Sequence, residues 1–441
     1  MTAATATALA LKERLEGARR AARPRCTGRV RSVVGMSVTV EGIEAAIGDV
    51  LVLERRGDEL IAEVVAIDED ALVCMPLGEL AGIRAGATVE LATGGLSVPV
   101  GEELRGRVLD ALGRPIDGGP SLRGLPAAAT TGAPPHPLRR AMIDVQLPLG
   151  VRVLDALLPC GRGQRLGIFA GSGVGKSSLL SMVARGTEAD VSVLALVGER
   201  GREVREMIEH DLGEAGLARS VVVVATSDEP ALMRLQAAQT ATRVAEWFRD
   251  KGNHVVLMMD SLTRYCMAQR EVGLAAGEPP ATRGYPPSVF SLLPRLLERA
   301  GAGERGSITG LYTVLVEGDD MNDPVADSAR SILDGHIVLS RKLATSGHFP
   351  SIDVLESVSR VAPRVMTPAQ RAQATELRSL MAAYRDAKDL IEIGAYAKGA
   401  NPLVDRAIQL KAATDLFLRQ DVSTIAPVSE SQLALATLVA P

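Results

Sequence analysis

One short stretch restricts the fold of this 441-residue chain more than any other. Residues 166–169 form an apolar run, residues 170–177 read AGSGVGKS, and residues 178–183 have the pattern of a helix. In such a strand, loop and helix, successive backbone N–H groups of the loop point at phosphate oxygens, and the helix N-terminus adds partial positive charge. The stretch therefore predicts a phosphate-binding loop in an α/β domain.

Within this loop we expect Lys176 to reach the β- and γ-phosphates of a nucleotide and the Ser177 hydroxyl to bind Mg²⁺. The first glycine of the usual pattern is replaced by Ala170, which fits if that residue keeps a negative φ. The remaining candidate nucleotide-binding residues follow in order along the loop. Together the set is Ala170, Gly171, Ser172, Gly173, Val174, Gly175, Lys176, Ser177 and Ser178.

Two further apolar runs end in acidic residues. Residues 191–197 are followed closely by Glu199, and residues 255–259 lead directly to Asp260. Because the carboxyl ends of parallel strands lie at one edge of a sheet, we expect both side chains beside the phosphate loop. Glu199 is the candidate to orient the attacking water, the alternative being an ion pair with one of the arginines that follow it. Asp260 is the candidate to hold Mg²⁺, partly through water.

The rest of the chain divides into blocks of different composition. Residues 1–25 predict a basic amphipathic segment, either a solvated terminal helix or a docking element for a partner or an anionic membrane surface. Residues 26–95 alternate short Val-rich runs with turns and predict a β-barrel. Residues 96–149 include a run rich in Ala, Thr, Gly and Pro that is typical of a linker. Residues 150–366 alternate apolar strands with helical segments, as a parallel α/β sheet requires, and residues 367–441 predict a helical domain.

Composition narrows the class of function. The chain has 49 Lys and Arg against 53 Asp and Glu, a net charge of −4, and only 2% aromatic residues. We therefore expect no nucleic-acid partner, since both a positive field and stacking surfaces are scarce. The cysteines show no metal-ligand spacing, which predicts reduced thiols, and the sequence contains no evident signal peptide or long apolar span.

Several motifs together resemble those of the flagellum-specific ATPases of the type III protein export apparatus, which are relatives of the catalytic β-subunit of rotary ATP synthases. The motifs are GERGREV at 198–204, DSLTR at 260–264, AAGEPP at 275–280, RGYPPS at 283–288, EGDDMNDP at 317–324 and SVSR at 357–360. The resemblance covers nearly the whole chain. It implies a RecA-like P-loop nucleotide domain with an N-terminal β-barrel and a C-terminal helical domain, assembled as a hexameric ring.

The resemblance also implies roles for individual residues beside the catalytic Lys176. Glu199 matches the catalytic glutamate, and Arg200 matches a residue near the γ-phosphate. Arg360 matches an arginine finger that is donated across a subunit interface, with a structural ion pair as the alternative. Phe349 matches the aromatic residue that packs on adenine, with a core position as the alternative. Because Glu199 and Arg360 lie on one chain, every interface in a ring of identical chains is expected to hold a site.

The function that follows is ATP hydrolysis by a ring-forming motor that energises export of flagellar proteins. The resemblance implies a stator-like regulatory protein at the N-terminal segment, a central stalk protein, export-gate membrane proteins and export chaperones, at the cytoplasmic face of the membrane. An injectisome ATPase and a rotary-synthase catalytic subunit are the alternatives with the same fold. An RNA translocase like Rho is disfavoured by composition, and a non-catalytic scaffold by the presence of Lys176, Glu199 and Asp260.

Overall fold

The computed structural model describes residues 26–316, 318 and 320–440. The predicted basic segment, residues 1–25, lies outside the described residues. By its internal contacts the chain divides into two units, Met1–Gly95 and Leu96–Pro441. Among the described helices, none combines the length and the apolar composition needed to span a membrane.

The first unit contains a closed antiparallel β-barrel. Its strands are β1 (Thr27–Val34), β2 (Ser37–Glu41), β3 (Val50–Arg55), β4 (Asp58–Asp68), β5 (Ala71–Pro76) and β6 (Thr88–Leu91). They pair around the barrel in the order β1-β2-β5-β4-β3-β6. Alternate residues point inward, so that Val38 and Val40 of β2 are fully buried while Thr39 between them is partly exposed. This alternation is the period of two expected for a strand with one buried face.

The second unit is built on a large, mostly parallel sheet. Its strands are β7 (Ser97–Pro99), β8 (Arg107–Asp110), β9 (Ala127–Ala129), β10 (Arg165–Ala170), β11 (Val191–Glu199), β12 (Ser220–Thr226), β13 (His254–Asp260), β14 (Gly301–Ala302), β15 (Ser307–Leu315), β16 (Gly335–Leu339) and β17 (Ile352–Ser359). The main sheet has the order β17-β16-β10-β15-β13-β11-β12-β8. Strand β17 runs antiparallel to β16, whereas β8 to β16 pair in parallel within that order. Strands β7 and β9 form a separate pair.

Helices connect these strands and close the chain. They are α1 (Arg152–Leu157), α2 (Lys176–Gly186), α3 (Gly201–Glu206), α4 (Gly213–Ala218), α5 (Ala231–Asp250), α6 (Leu262–Ala275), α7 (Pro287–Leu297), α8 (Pro324–Ile332), α9 (Arg341–Thr345), α10 (Ala362–Val365), α11 (Pro368–Glu392), α12 (Pro402–Leu418) and α13 (Val428–Leu438). A π-helical turn, Met207–Leu212, joins α3 to α4. Short 3-10 turns lie at Glu102–Leu104, Pro137–Arg139 and Thr282–Gly284.

Burial on both faces explains the continuous apolar runs in the sequence. In β11 every residue from Val191 to Gly198 is buried, and β13 is buried from Val255 to its end. Strands of this kind occur where helices cover both faces of a parallel sheet. The predicted α/β nucleotide domain, the N-terminal barrel and the C-terminal helices are therefore all present.

Part of the segment that we expected to be a linker contributes to the sheet. Strand β8 lies at residues 107–110 and pairs in parallel with β12 at the edge of the sheet. Val108 and Leu109 of this strand are buried. An apolar run this short, next to many Gly and Pro residues, gives no clear strand signal, and its partner lies more than a hundred residues further along the chain.

The C-terminal helices begin at well-defined caps. The Thr367 side chain accepts a hydrogen bond from the Gln370 backbone N–H, and the Gln370 side chain bonds back to the Thr367 backbone N–H, forming a capping box at the start of α11. The Asn401 side chain accepts hydrogen bonds at the start of α12. Both devices satisfy N–H groups that the helix itself leaves unpaired. Helix α13 packs on α1, which attaches the helical region to the nucleotide domain.

Candidate active site

The phosphate loop connects the end of β10 to the start of α2. Gly173 and Gly175 have positive φ angles of 74° and 93°, a conformation that L-residues with a side chain rarely adopt. Ala170 ends β10 and is not among the residues with positive φ, so alanine fits at the position where the usual pattern has glycine. Both glycines therefore lie where the backbone conformation favours glycine.

Two neighbouring strands place acidic side chains beside this loop. Strands β11 and β13 are adjacent in the sheet and end at Glu199 and Asp260. The Lys176 Nζ atom lies 2.5 Å from Asp260 Oδ1 and 3.4 Å from Glu199 Oε1. All three side chains are at most 13% exposed. The structure thus brings together the three residues on which the predicted chemistry depends, and the ion pair of Glu199 is with Lys176.

The charges in this cluster oppose one another. Burial, and next the nearby Asp260 charge, raise the pKa of Glu199 to about 7, although Lys176 acts in the other direction. Burial by itself lowers the pKa of Lys176, but the Asp260 and Glu199 charges outweigh it and the pKa is raised. Lys176 therefore stays protonated. The pKa of Glu199 lies near neutrality, which is the range in which a general base is most effective.

A buried hydroxyl holds Asp260 from the other side. The Thr313 Oγ1 atom of β15 donates to Asp260 Oδ1 at 2.7 Å, and Thr313 is fully buried. This residue is not among those that the sequence predicted. A single threonine inside an apolar strand is common because β-branched residues favour strands, so the sequence carries no signal that separates Thr313 from its neighbours.

The segment between β16 and β17 contacts the phosphate loop from outside. Arg341 Nη1 donates to the Ser172 carbonyl at 3.1 Å, and Ser351 Oγ donates to the Val174 carbonyl at 2.5 Å. A Cβ atom placed on Gly175 would lie 3.3 Å from the Phe349 ring. Phe349 is 39% exposed. Phe349 therefore lies beside the loop with part of its ring open to solvent.

Arg200 is exposed at the start of α3, next in sequence to Glu199. Its guanidinium lies 3.5 Å from Glu203 Oε1. A long cationic side chain with a high exposed fraction is free to reorient, since an exposed ion pair of this kind contributes little energy. Its predicted position near the γ-phosphate stays a prediction.

Arg360 lies at the amino ends of the parallel strands, whereas the phosphate loop of its own chain lies at their carboxyl ends. Strand β17 is antiparallel to β16: it begins next to Leu339, at the end of β16, and finishes next to Gly335, at its start. The Arg360 N–H donates to the carbonyl of Asp334, a residue that also pairs with Arg165 at the start of β10. The exposed Arg360 side chain donates from Nη2 to the Arg330 carbonyl at 3.3 Å. The chain therefore does not bring Arg360 to its own Lys176.

The oxygen donors near the loop suit Mg²⁺. Ser177 is exposed in the first turn of α2, and Asp260 has both its Lys176 and Thr313 contacts on the single oxygen Oδ1. Hydroxyl and carboxylate oxygens are ligands that Mg²⁺ uses, together with water and phosphate oxygens. The donor set therefore fits the metal that the sequence predicted.

Three domain models from two protein families match successive parts of the chain. Residues 30–92 match the β-barrel domain of the ATP synthase alpha/beta family, and residues 150–359 match the nucleotide-binding domain of that family. Residues 366–437 match the C-terminal domain of the type III secretion ATPase EscN. These three regions correspond to the barrel, the sheet domain and the C-terminal helices.

Relatives extend the similarity over nearly the full length. The flagellum-specific ATP synthase of Bacillus subtilis is 53% identical over 414 residues, which are 93% of this chain and 94% of the relative. This chain belongs to the flagellar and type III secretion ATPase family. The type 3 secretion system ATPase of Sinorhizobium fredii is 49% identical over 407 residues, covering 92% of this chain and 90% of the relative.

Solved structures of the same family have the same fold. The assembled ATPase EscN of the enteropathogenic Escherichia coli type III secretion system superposes with a TM-score of 0.90 at 46% identity, covering 94% of this chain and 100% of EscN. EscN in complex with its central stalk EscO gives a TM-score of 0.87 at 45% identity, with the same coverage of both chains. The expected three-part architecture is thereby confirmed.

Proposed function

We propose that this chain hydrolyses ATP to ADP and phosphate with Mg²⁺, and that a hexameric ring of it energises protein export through a flagellar type III apparatus. The observation that carries the proposal is the cluster in which Lys176 contacts both Asp260 and Glu199 at the end of the phosphate loop. Family membership supports the choice of nucleotide and reaction, because relatives at about half identity are named as ATPases or ATP synthases.

The residues of one chain divide the work of binding and proton transfer. The loop N–H groups and Lys176 bind the β- and γ-phosphates, and Lys176 exchanges its carboxylate contacts for phosphate oxygens when ATP enters. Ser177 and Asp260 would hold Mg²⁺, which would supply positive charge to offset the charge of the transferred phosphoryl group. Glu199, released from Lys176, orients the attacking water and accepts its proton. Phe349 packs on the adenine ring.

The remaining catalytic group comes from a neighbouring subunit. Arg360 lies at the amino ends of the parallel strands, away from its own phosphate loop, and its side chain is exposed, which supports a role in the site of the next chain of a ring. A guanidinium at the γ-phosphate stabilises the transition state and is worth roughly 10³-fold or more in rate. Arg200, next to Glu199, is a second cation for the same phosphate.

The proposal for partners and location draws on the family. The solved assemblies of EscN, alone and with its stalk EscO, support a ring and a central stalk partner for this chain. We extend the proposal to a stator-like protein bound at residues 1–25, export-gate proteins and chaperones, with the ring at the cytoplasmic face of the membrane. A type III secretion ATPase is the second candidate, because relatives with that name are as similar as several flagellar ones.

ATP hydrolysis by the purified chain as a function of its own concentration tests the proposal. We expect specific activity to rise with concentration as rings assemble. Glu199→Gln should bind ATP and not hydrolyse it, whereas Glu206→Gln, the same change at an exposed site on α3, should behave as the unaltered chain. Full turnover by the Glu199 variant, or activity independent of chain concentration, contradicts the proposed site.

The choice between the two export systems needs a cellular assay. Flagellar export and injectisome secretion are measured in strains that lack their own export ATPase and carry this chain. Restored flagellar export with no restored injectisome secretion supports the flagellar assignment. The reverse result favours the second candidate.

A further inference from the structure

Gln420 connects the C-terminal helices to the segment that lies beside the phosphate loop. It follows α12 and is 6% exposed. Its side-chain Nε2 donates to the Gly150 carbonyl at 2.9 Å and to the Thr424 carbonyl at 2.8 Å, and its Oε1 accepts from the Arg152 N–H at 2.8 Å. Its backbone N–H donates to the Phe349 carbonyl at 3.0 Å. One residue therefore bonds to the start of the nucleotide domain, to its own loop and to the aromatic residue beside the phosphate loop.

The carboxamide of Gln420 is fully used in this position. Both of its N–H groups donate, and its carbonyl oxygen accepts a backbone hydrogen bond. A buried amide that loses such partners carries a desolvation penalty, so the side chain has one favourable orientation. Because the side chain is fixed at three points, the backbone N–H of Gln420 is held at a fixed place, and the Phe349 carbonyl is held with it.

Phe349 has the freedom that such an anchor would restrict. Its ring is partly exposed and lies next to Gly175 of the loop, where a Cβ atom would come within 3.3 Å of it and the glycine has no side chain to contact it. Hydrogen bonds hold the chain on either side of Phe349. The His348 N–H donates to the Leu343 carbonyl, and Ser351 Oγ donates to the Val174 carbonyl. The hydrogen bond from the Gln420 backbone N–H to the Phe349 carbonyl holds Phe349 itself, and it comes from the C-terminal helices.

We propose that Gln420 is a positioning residue that holds Phe349 against the base of the bound nucleotide, so that base binding depends on the docking of the C-terminal helices. The inference rests on the proposed function, because it assigns Phe349 to the base of ATP. Gln420 itself touches neither the phosphates nor the reacting atoms. Its effect is on the contribution of the base to affinity and not on the chemical step.

Comparison of two ligands separates this role from a purely structural one. ATP carries a base, whereas inorganic tripolyphosphate carries the phosphates alone. For Gln420→Leu we expect ATP to bind about 5- to 30-fold more weakly, equivalent to about 1 to 2 kcal/mol. Tripolyphosphate affinity should stay within about twofold, an energy difference of less than about 0.5 kcal/mol. The KM for ATP should rise while kcat is retained.

Three further variants make the test specific. Gln432→Leu is the matched control, since Gln432 bonds from α13 to the Asp155 carbonyl in the same junction but does not contact Phe349. Gln420→Glu keeps the acceptor for Arg152 and loses the donors, which provides a second variant if the leucine change prevents folding. Phe349→Ala combined with Gln420→Leu should weaken ATP binding no more than Phe349→Ala alone, because both act through one contact.

The outcomes are distinct. Equal weakening of ATP and tripolyphosphate by the Gln420 variants, or the same loss in Gln432→Leu, means a structural role and overturns the inference. Unchanged ATP affinity in both Gln420 variants, with melting temperatures that show folded protein, also overturns it. If the unaltered chain binds no ATP, the proposed function fails first and the inference fails with it.

Discussion

Removal of one hydroxyl, by Thr313→Val, tests whether Asp260 must be held in place. Valine has nearly the shape of threonine, and Thr313 is fully buried, so the substitution leaves the packing of β15 in place and removes the 2.7 Å hydrogen bond to Asp260 Oδ1. The carboxylate then keeps its contact with Lys176 on that oxygen. We expect Asp260 to lose the orientation that metal binding requires.

The size of the effect follows from the kind of hydrogen bond. A hydrogen bond to a charged group contributes about 1.5 to 3 kcal/mol. Each 1.36 kcal/mol of lost transition-state stabilisation is tenfold in rate, so kcat/KM for MgATP should fall by about 10- to 150-fold. Both limits of this range assume that the whole hydrogen-bond energy is expressed at the transition state.

The same strand offers a matched control. Thr309 is also buried on β15, four residues earlier and on the same face, and its Oγ1 accepts the Gly163 N–H at 2.8 Å far from Asp260. Steady-state hydrolysis is measured over a range of Mg²⁺ concentrations for Thr313→Val and Thr309→Val, together with thermal melting. We expect only Thr313→Val to need more Mg²⁺ and to lose activity, while the melting temperatures of both fall to a similar extent. Wild-type MgATP kinetics in Thr313→Val, or an equal loss in Thr309→Val, would falsify the assignment.

Three other expectations concern separate parts of the molecule. Arg360→Ala should lower kcat by roughly 10³-fold with little change in ATP affinity. Mixing this variant with Glu199→Gln should restore some activity, because each variant supplies the group that the other lacks. Mixtures that stay inactive contradict a shared site. Because burial and Asp260 raise the pKa of Glu199 to about 7, a pH profile of kcat/KM should fall as the pH drops through 7 and the carboxylate is protonated; a flat profile from pH 6 to 8 excludes Glu199 as the base. Arg299→Met should cost about 1.5 to 3 kcal/mol in denaturant unfolding, because the buried Glu246 carboxylate loses its bidentate partner and keeps only the Arg243 contact. A loss under about 1 kcal/mol contradicts that reasoning.

The parts of the site that the sequence predicted share one property. Lys176, Glu199 and Asp260 each follow a continuous apolar run, and parallel strands deliver the residues at their carboxyl ends to a common edge. Local pattern and one topological rule were therefore enough to bring them together. The family resemblance added Arg360 and Phe349, which no local pattern singles out.

The parts that were missed depend on contacts between distant segments. Thr313 looks like any β-branched strand residue, and its importance follows only from the register that sets β15 beside β13. Gln420 acts on residues about 270 positions earlier, at Gly150 and Arg152. Strand β8 is too short to be recognised before its partner β12 is known. In each case long-range packing decides the role, and sequence alone does not encode which distant backbone groups will meet.

The antiparallel direction of β17 bears on how much ATP unassembled copies hydrolyse. In a newly synthesised single copy, Arg360, the proposed arginine finger, lies at the amino ends of the parallel strands and away from that copy's own phosphate loop. Under the proposed arrangement, such a single copy hydrolyses almost no ATP. Hydrolysis begins only when neighbouring subunits assemble around it at the export apparatus. In that arrangement, the direction of one edge strand restricts ATP hydrolysis to the assembled ring.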